Sequence, residues 1–148
     1  KSITYLDEFG KLCIMDNIKN HGFGYRKSPF MKRRVLIISC ELQLKEDVSS
    51  IKLYYDYLEK KKLTQPLKEK SAGSTFKNPN NLYAWKLINE TNTIRKINDA
   101  EISSIHGNFF INKNNATFND MKELIKRVQD DVFNTHHILL ELELNIIE

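Results

Sequence analysis

Little in this sequence can build a covalent or metal-held framework. Only two cysteines, Cys13 and Cys40, occur in 148 residues. Each sits inside an apolar, strand-like segment, and neither has a metal-ligand spacing. That excludes a disulfide scaffold and a zinc signature, suits a reducing compartment, and reads as core packing. Glycine and proline are also sparse, at five and three. No GxGxxG or GxxxxGK[ST] run is present, and no nucleophile elbow, so the common phosphate loops and serine-hydrolase signatures are absent. The longest apolar run, Val35 to Ile38, is far short of the ~20 residues of a membrane span. The chain starts at Lys1 without a basic-then-apolar leader, so no signal peptide is expected and the sequence is expected to be cut from something longer. Of the histidines, His136-His137 adjoin in a predicted loop with no third ligand suggested, and His21 and His106 are isolated; no metal is expected. Aromatic residues are scattered rather than interleaved with basic ones, which argues against a nucleic-acid stripe.

What is present is the composition of a folded domain. At 41% hydrophobic and 28% charged residues, the chain can bury a core and is neither disordered nor membrane-embedded. The net charge of +4, from 23 basic and 19 acidic residues, is a mild excess that favours an anionic ligand. The runs Lys32-Arg33-Arg34 and Lys60-Lys61-Lys62 read first as solvated faces.

Hydrophobic spacing predicts an α+β arrangement. Ser2–Leu6 and Lys11–Met15 read as strands joined by the turn Asp7-Glu8-Phe9-Gly10, and Val35–Leu44 as a longer strand. Between them lies a glycine-bordered loop, Asn20–Pro29. From Asp47, a plausible N-cap, to Lys62, the spacing of Val48, Ile51, Tyr55 and Leu58 predicts an amphipathic helix, which Thr64-Gln65-Pro66 ends. Leu67–Asn81 is polar and predicted to be mostly loop. A short helix is predicted at Tyr83–Ile88, then a turn-rich stretch and a strand at Asn108–Asn112. Thr117 with Asp120 resembles a capping box, opening a helix with Met121, Leu124, Ile125, Val128 and Val132 on one face. Ile138–Ile147 is predicted as a closing strand.

Three segments are able to carry chemistry, and each also has a plain structural reading. In Ser71–Pro79, Gly73 permits close backbone approach, Ser74 can donate a proton, Lys77 offers charge and Asn78 an amide; it can equally be a decorated surface turn. In Gly22–Ser28, Arg26 beside Tyr25 can fork onto a carboxylate or phosphate, or be an exposed loop arginine. In Glu141-Leu142-Glu143-Leu144, strand alternation puts both carboxylates on one face, for acid–base work or simply as a wet strand face.

Taken in order, FGYRKS, TQPL, SAGSTFKNP, HGNFFINKNNAT and LELELNII resemble the MurB family, the UDP-N-acetylenolpyruvoylglucosamine reductases, over nearly the whole chain from Ser2 to Ile147. The family pattern reads FGYRxS, xQPL, SAGSVFKNP, HANFIxNxGNATAxD and LExEVxxIG. The resemblance implies that residues 1–66 are the tail of the second FAD-binding (PCMH-like) domain plus a connecting helix. It makes residues 67–148 the C-terminal substrate-binding domain. It implies a cytoplasmic reductase that takes hydride from NADPH through FAD and delivers it to UDP-N-acetylglucosamine enolpyruvate, in peptidoglycan precursor synthesis. Arg26 matches the arginine that holds the carboxylate, Ser74 the serine that protonates the intermediate, and Glu143 the glutamate that assists. Asn78 matches a substrate-binding asparagine, while Lys77 and Tyr25 accompany them in the pocket.

The chain also departs from that pattern. The family's N-terminal glycine-rich FAD segments are not in it, so FAD is expected to be held weakly or not at all by this sequence alone. Trp85 stands at a glycine site, and Asn92, Arg95, Asn98 and Asp99 stand where the family has turn glycines; Asn and Asp tolerate the left-handed backbone best after Gly. These departures keep a second expectation open, a non-catalytic remnant or UDP-sugar-binding module lacking FAD.

Overall fold

The computed structural model describes residues 1–16, 21–24 and 26–147. They form two compact units, residues 1–48 and 49–148.

In the first unit, β1 (Ser2–Leu6), β2 (Leu12–Asp16) and β3 (Leu36–Glu41) make an antiparallel sheet in the order β2-β1-β3. The predicted hairpin turn is built by Asp7, whose Oδ1 accepts the N–H groups of Phe9 and Lys11 at 3.0 and 2.9 Å. Gly10 supplies the left-handed residue at φ 77°. The third strand is shorter than the predicted 35–44. Its register against β1 ends at Ser2↔Glu41, so residues 42–44 have no ladder partner and the pairing stops. Packing centres on Tyr5 and Phe30, edge to face at 5.1 Å, with the Arg33 guanidinium 5.5 Å from the Tyr5 ring. β3 is exposed at every position. Cys40 is exposed and Cys13 half-buried, which corrects the expectation that both pack in a core.

The second unit holds α1 (Ser49–Thr64), β4 (Lys70–Ser74), α2 (Ala84–Glu90), β5 (Lys96–Ile97), β6 (Ala100–Ile102), β7 (Phe109–Asn112) and α3 (Phe118–His136). Its sheet has the order β4-β7-β6-β5, antiparallel throughout, and α3 packs against β5, β6 and α2. The core joins Phe76, Leu87, Ile88, Ile102 and Phe110 to Leu124, Ile125, Val128 and Val132 of α3, the helix face predicted from spacing. Burying each such side chain contributes ~1.5–3 kcal/mol. No described helix is long and apolar enough to cross a membrane.

Three expectations are corrected here. The stretch 67–81 contains strand β4, which its polar, glycine-bearing sequence conceals. The turn-rich stretch before β7 contains the β5–β6 hairpin, whose two-residue turn puts Asn98 at φ 47°. Residues 138–147 form no strand; a single antiparallel bridge joins Leu142 to Phe76. Helix α1 forms as predicted but starts at Ser49, two residues after Asp47. None of its residues is buried, so its apolar face has no cover within this unit.

The start of α3 is a full capping box. Thr117 Oγ1 accepts the Asp120 N–H at 3.1 Å, and Asp120 Oδ2 accepts the Thr117 N–H at 2.8 Å. Asn98 Nδ2 donates to Asp120 Oδ1 at 2.7 Å, tying the β5–β6 turn to the helix. Replacing Thr117 by Ala should cost ~1 kcal/mol of stability in denaturant unfolding. The Thr117 N–H first, then its hydroxyl and the Asn98 amide, hold the Asp120 carboxyl below its ordinary 3.8. A depressed carboxylate stabilises the fold above its unfolded value and loses that contribution as pH falls through the folded one. Thermal melts below pH 3.8 should therefore fall more steeply for the natural chain than for Asp120→Asn.

Candidate active site

β4 is an edge strand that bends before it ends. Ser71 pairs with Ile111 and Ser74 with Phe109, so Ala72 and Gly73 together oppose Phe110. This is a β-bulge, which bends the strand and re-aims the next side chain. Gly73 occupies it at φ 90°, its N–H donating to Ser71 Oγ at 3.0 Å. A Cβ there would meet nothing within 4 Å; backbone conformation, not crowding within the protein, demands glycine. Ser74 follows, half-buried.

Thr75 and Phe76 come next, each 1% exposed. Buried peptide groups must be paired, and the bent strand cannot pair these with its neighbour in the usual ladder. Their partners come from two sides. From one, the Asn108 backbone oxygen accepts the Thr75 N–H at 2.8 Å. The Asn108 side chain then spans Phe76: Oδ1 accepts its N–H at 2.9 Å, and Nδ2 donates to its carbonyl at 2.8 Å. From the other, the Glu143 N–H donates to the Thr75 carbonyl at 2.9 Å, and the Lys77 N–H to the Glu141 carbonyl at 2.8 Å. Along this C-terminal segment Leu140 is buried and Leu142 half-buried, while Glu141 and Glu143 are exposed. The predicted alternation survives without a full strand.

The structure thus brings Ser74, Lys77, Asn78 and Glu143 onto one short stretch of backbone and its bridged neighbour. Lys77 Nζ lies 3.2 Å from Glu141 Oε2, an exposed pair worth little in stability. Asn78 Oδ1 accepts the Ala84 N–H at 3.0 Å, satisfying one of the open amides at the start of α2. Its Nδ2 makes no hydrogen bond among the described residues. A cavity of about 290 Å³ lies nearby, with Ser71, Thr75, Phe110, Met121, Ile125 and Leu144 among its walls; neither Ser74 nor Glu143 lines it.

Arg26 belongs to the first unit. Gly24 and Lys27 exchange two backbone hydrogen bonds, at 3.0 and 3.1 Å, closing a tight turn that has Arg26 at φ 52°. A left-handed non-glycine residue costs ~1–2 kcal/mol, and such strain concentrates at functional positions. Tyr25, the other residue expected there, lies outside the described residues.

Trp85, expected to crowd a glycine site, keeps 41% of its surface exposed. Its ring lies 6.5 Å from Tyr83 and 6.3 Å from His106. A Cβ on Gly107 would lie 3.0 Å from the Trp85 carbonyl and 2.6 Å from Asn89 Oδ1, so here glycine is needed for space. His106 Nδ1 accepts the Asn108 N–H at 3.2 Å, and burial pushes the imidazole below its ordinary 6.5. Asn108 is the residue that sequence reasoning missed. It stands within the HGNFFIN segment, but nothing in its spacing announces that its amide completes a buried backbone. Replacing Gly73 by Ala should lower stability by ~1–2 kcal/mol through the left-handed backbone alone, as read by denaturant unfolding.

Comparison with known proteins bears on the whole arrangement. Residues 65–147 match the family model described as UDP-N-acetylenolpyruvoylglucosamine reductase, C-terminal domain. A UDP-N-acetylenolpyruvoylglucosamine reductase of Chlamydia felis is 41% identical over 126 residues, covering 84% of this chain and 42% of the relative. One from Prochlorococcus marinus is 39% identical over 146 residues, covering 97% and 50%. The crystal structure of the reductase (MurB) from Thermus caldophilus superposes with a TM-score of 0.79 at 33% identity, over 99% of this chain and 52% of that one. The chain spans about half the length of the curated relatives it matches. It belongs to the MurB family, the UDP-N-acetylenolpyruvoylglucosamine reductases, whose C-terminal domain it carries.

Proposed function

We propose that this chain is the substrate-binding and proton-delivering part of a flavin-dependent reductase that converts UDP-N-acetylglucosamine enolpyruvate to UDP-N-acetylmuramate in the cytoplasm. Residues 67–148 are its substrate-binding domain, and residues 1–66 belong to the flavin-binding part. FAD, held by the flavin-binding part, would supply the hydride that it draws from NADPH. Among the described residues there is no glycine-lined phosphate cradle, so none is assigned to holding FAD.

Hydride arriving at the terminal vinyl carbon leaves negative charge on the neighbouring carbon and its carboxylate. Arg26 holds that carboxylate with its planar fork and stabilises the charge. Ser74 gives the carbon its proton, and Glu143 assists on the carboxylate side. A serine hydroxyl is a poor acid in water, so the role requires close approach and exclusion of solvent. Asn78 offers its Nδ2 to the substrate, and Lys77 accompanies it as a substrate-binding residue. The observation carrying this reading is that the segment bearing Glu143 is hydrogen-bonded to the residue that follows Ser74.

The full-length protein carrying this sequence should purify yellow and oxidise NADPH when given the enolpyruvyl substrate. A colourless protein, inert even with FAD added, would favour a UDP-sugar-binding module instead. Ser74→Ala should leave flavin reduction by NADPH intact and slow transfer to substrate by ~10²–10⁴-fold, the span typical of a lost general acid. Loss of both half-reactions would contradict the role. Arg26→Gly should relieve backbone strain and leave the melting temperature near that of the natural chain, while turnover falls ~10²–10³-fold.

A further inference from the structure

We propose that Asn108 is the positioning residue of this site, acting through the Thr75–Phe76 backbone to hold Ser74 and Glu143 in their working geometry. The proposal rests on the roles given above to those two residues.

Ser74 and Glu143 are far apart in sequence, and what joins them is short. Ser74 is bonded covalently to Thr75, whose carbonyl accepts the Glu143 N–H. The placement of both groups therefore follows the placement of the Thr75–Phe76 peptide. Asn108 fixes the backbone on both sides of that peptide and the peptide itself: its backbone oxygen accepts the Thr75 N–H, its Oδ1 accepts the Phe76 N–H, and its Nδ2 donates to the Phe76 carbonyl. It is 3% exposed, so water cannot take over if the amide is lost. Its primary amide presents one acceptor and one donor side by side, the pattern a neighbouring strand would show to Phe76. No carboxylate or aliphatic side chain of that size offers both. His106 adds a further restraint by accepting the Asn108 N–H, so Asn108 is itself held.

Strand β7, which follows Asn108, carries an internal control. Asn112 embraces another residue in the same way: Oδ1 accepts the Ala116 N–H at 2.9 Å, and Nδ2 donates to the Ala116 carbonyl at 3.1 Å. That clamp holds the turn before α3 and does not touch the 74–78 segment. Disabling either asparagine removes two backbone hydrogen bonds, but only one of them serves the site.

The test compares Asn108→Leu and Asn112→Leu, near-isosteric and unable to hydrogen-bond, in the full-length protein by stopped-flow. Two steps are read separately: flavin reduction by NADPH, and flavin reoxidation by the enolpyruvyl substrate. Asn108→Leu should slow reoxidation by about 100-fold, the scale of a misplacement of about 1 Å, and leave reduction unchanged. Asn112→Leu should lower the melting temperature without slowing either step. If Asn108→Leu fails to fold, Asn108→Asp takes its place: it keeps the acceptor and loses the donor at high pH, so reoxidation should be slow at high pH and recover as acidification restores a proton to the carboxyl. Reoxidation at the natural rate in a folded Asn108 variant overturns the proposal, as does an equal loss in Asn112→Leu. A natural protein that binds flavin yet never reduces the enolpyruvyl substrate overturns the functional reading, and this inference with it.

Discussion

Two buried peptide groups, at Thr75 and Phe76, set the terms for this half of the molecule. A bulged edge strand turns away from its neighbour, and the polar atoms it leaves behind are shut off from water. An unpaired buried peptide group costs ~1–3 kcal/mol, so the fold is committed to finding substitutes. It finds them in an asparagine from the HGN turn and in the C-terminal segment. Segments that the chain separates widely are thereby hydrogen-bonded to one another. The SAGSTFKNP, HGNFFIN and LELELNII segments meet in space through these bonds.

Around that junction the packing is conventional. One helix, capped at both ends, lays an apolar stripe across a small antiparallel sheet. Its N-terminal box is tied to the β5–β6 turn through Asn98, and its C-terminal turn ends on His137 at φ 56°. Rigid elements thus stand behind the segment that carries Ser74, the support a preorganised site needs. Charge contributes mainly by arrangement: the Lys77–Glu141 pair is exposed and bridges the same two segments that the backbone joins.

What could be read from residues alone follows the range of the forces involved. The capping box and the stripe Leu124, Ile125, Val128 and Val132 are local patterns, so the start and buried face of α3 were legible, whereas its last turn takes in His136, which was expected in a loop. The first hairpin was legible for the same reason, through Asp7 and Gly10. Strand β4 was hidden because Ser, Ala and Gly at a sheet edge carry no apolar alternation. The hairpin at Lys96–Ile102 was hidden because it is two or three residues to a side and turns on Asn where a glycine is expected. The extent of pairing at 138–147 depended on how much edge 75–77 could offer, which is a tertiary fact. Site residues were named through the order of motifs, whereas the hold of Asn108 on Phe76 spans 32 positions and follows no spacing rule. For Cys40, an apolar neighbourhood in sequence did not become burial in space.

The small sheet of the first unit has a consequence for how the chain comes apart. Among the described residues of that unit only Tyr5 and Phe30 are buried, while Leu12, Ile14, Leu36, Ile37 and Ile38 are more than half exposed. A ladder with so little apolar cover opens at low free energy, so its amides exchange with solvent well before those of the 49–147 core. Heat or denaturant will therefore loosen residues 1–48 first when these 148 residues stand alone. The strands released there are apolar and unpaired at their edges, the form in which chains adhere to one another.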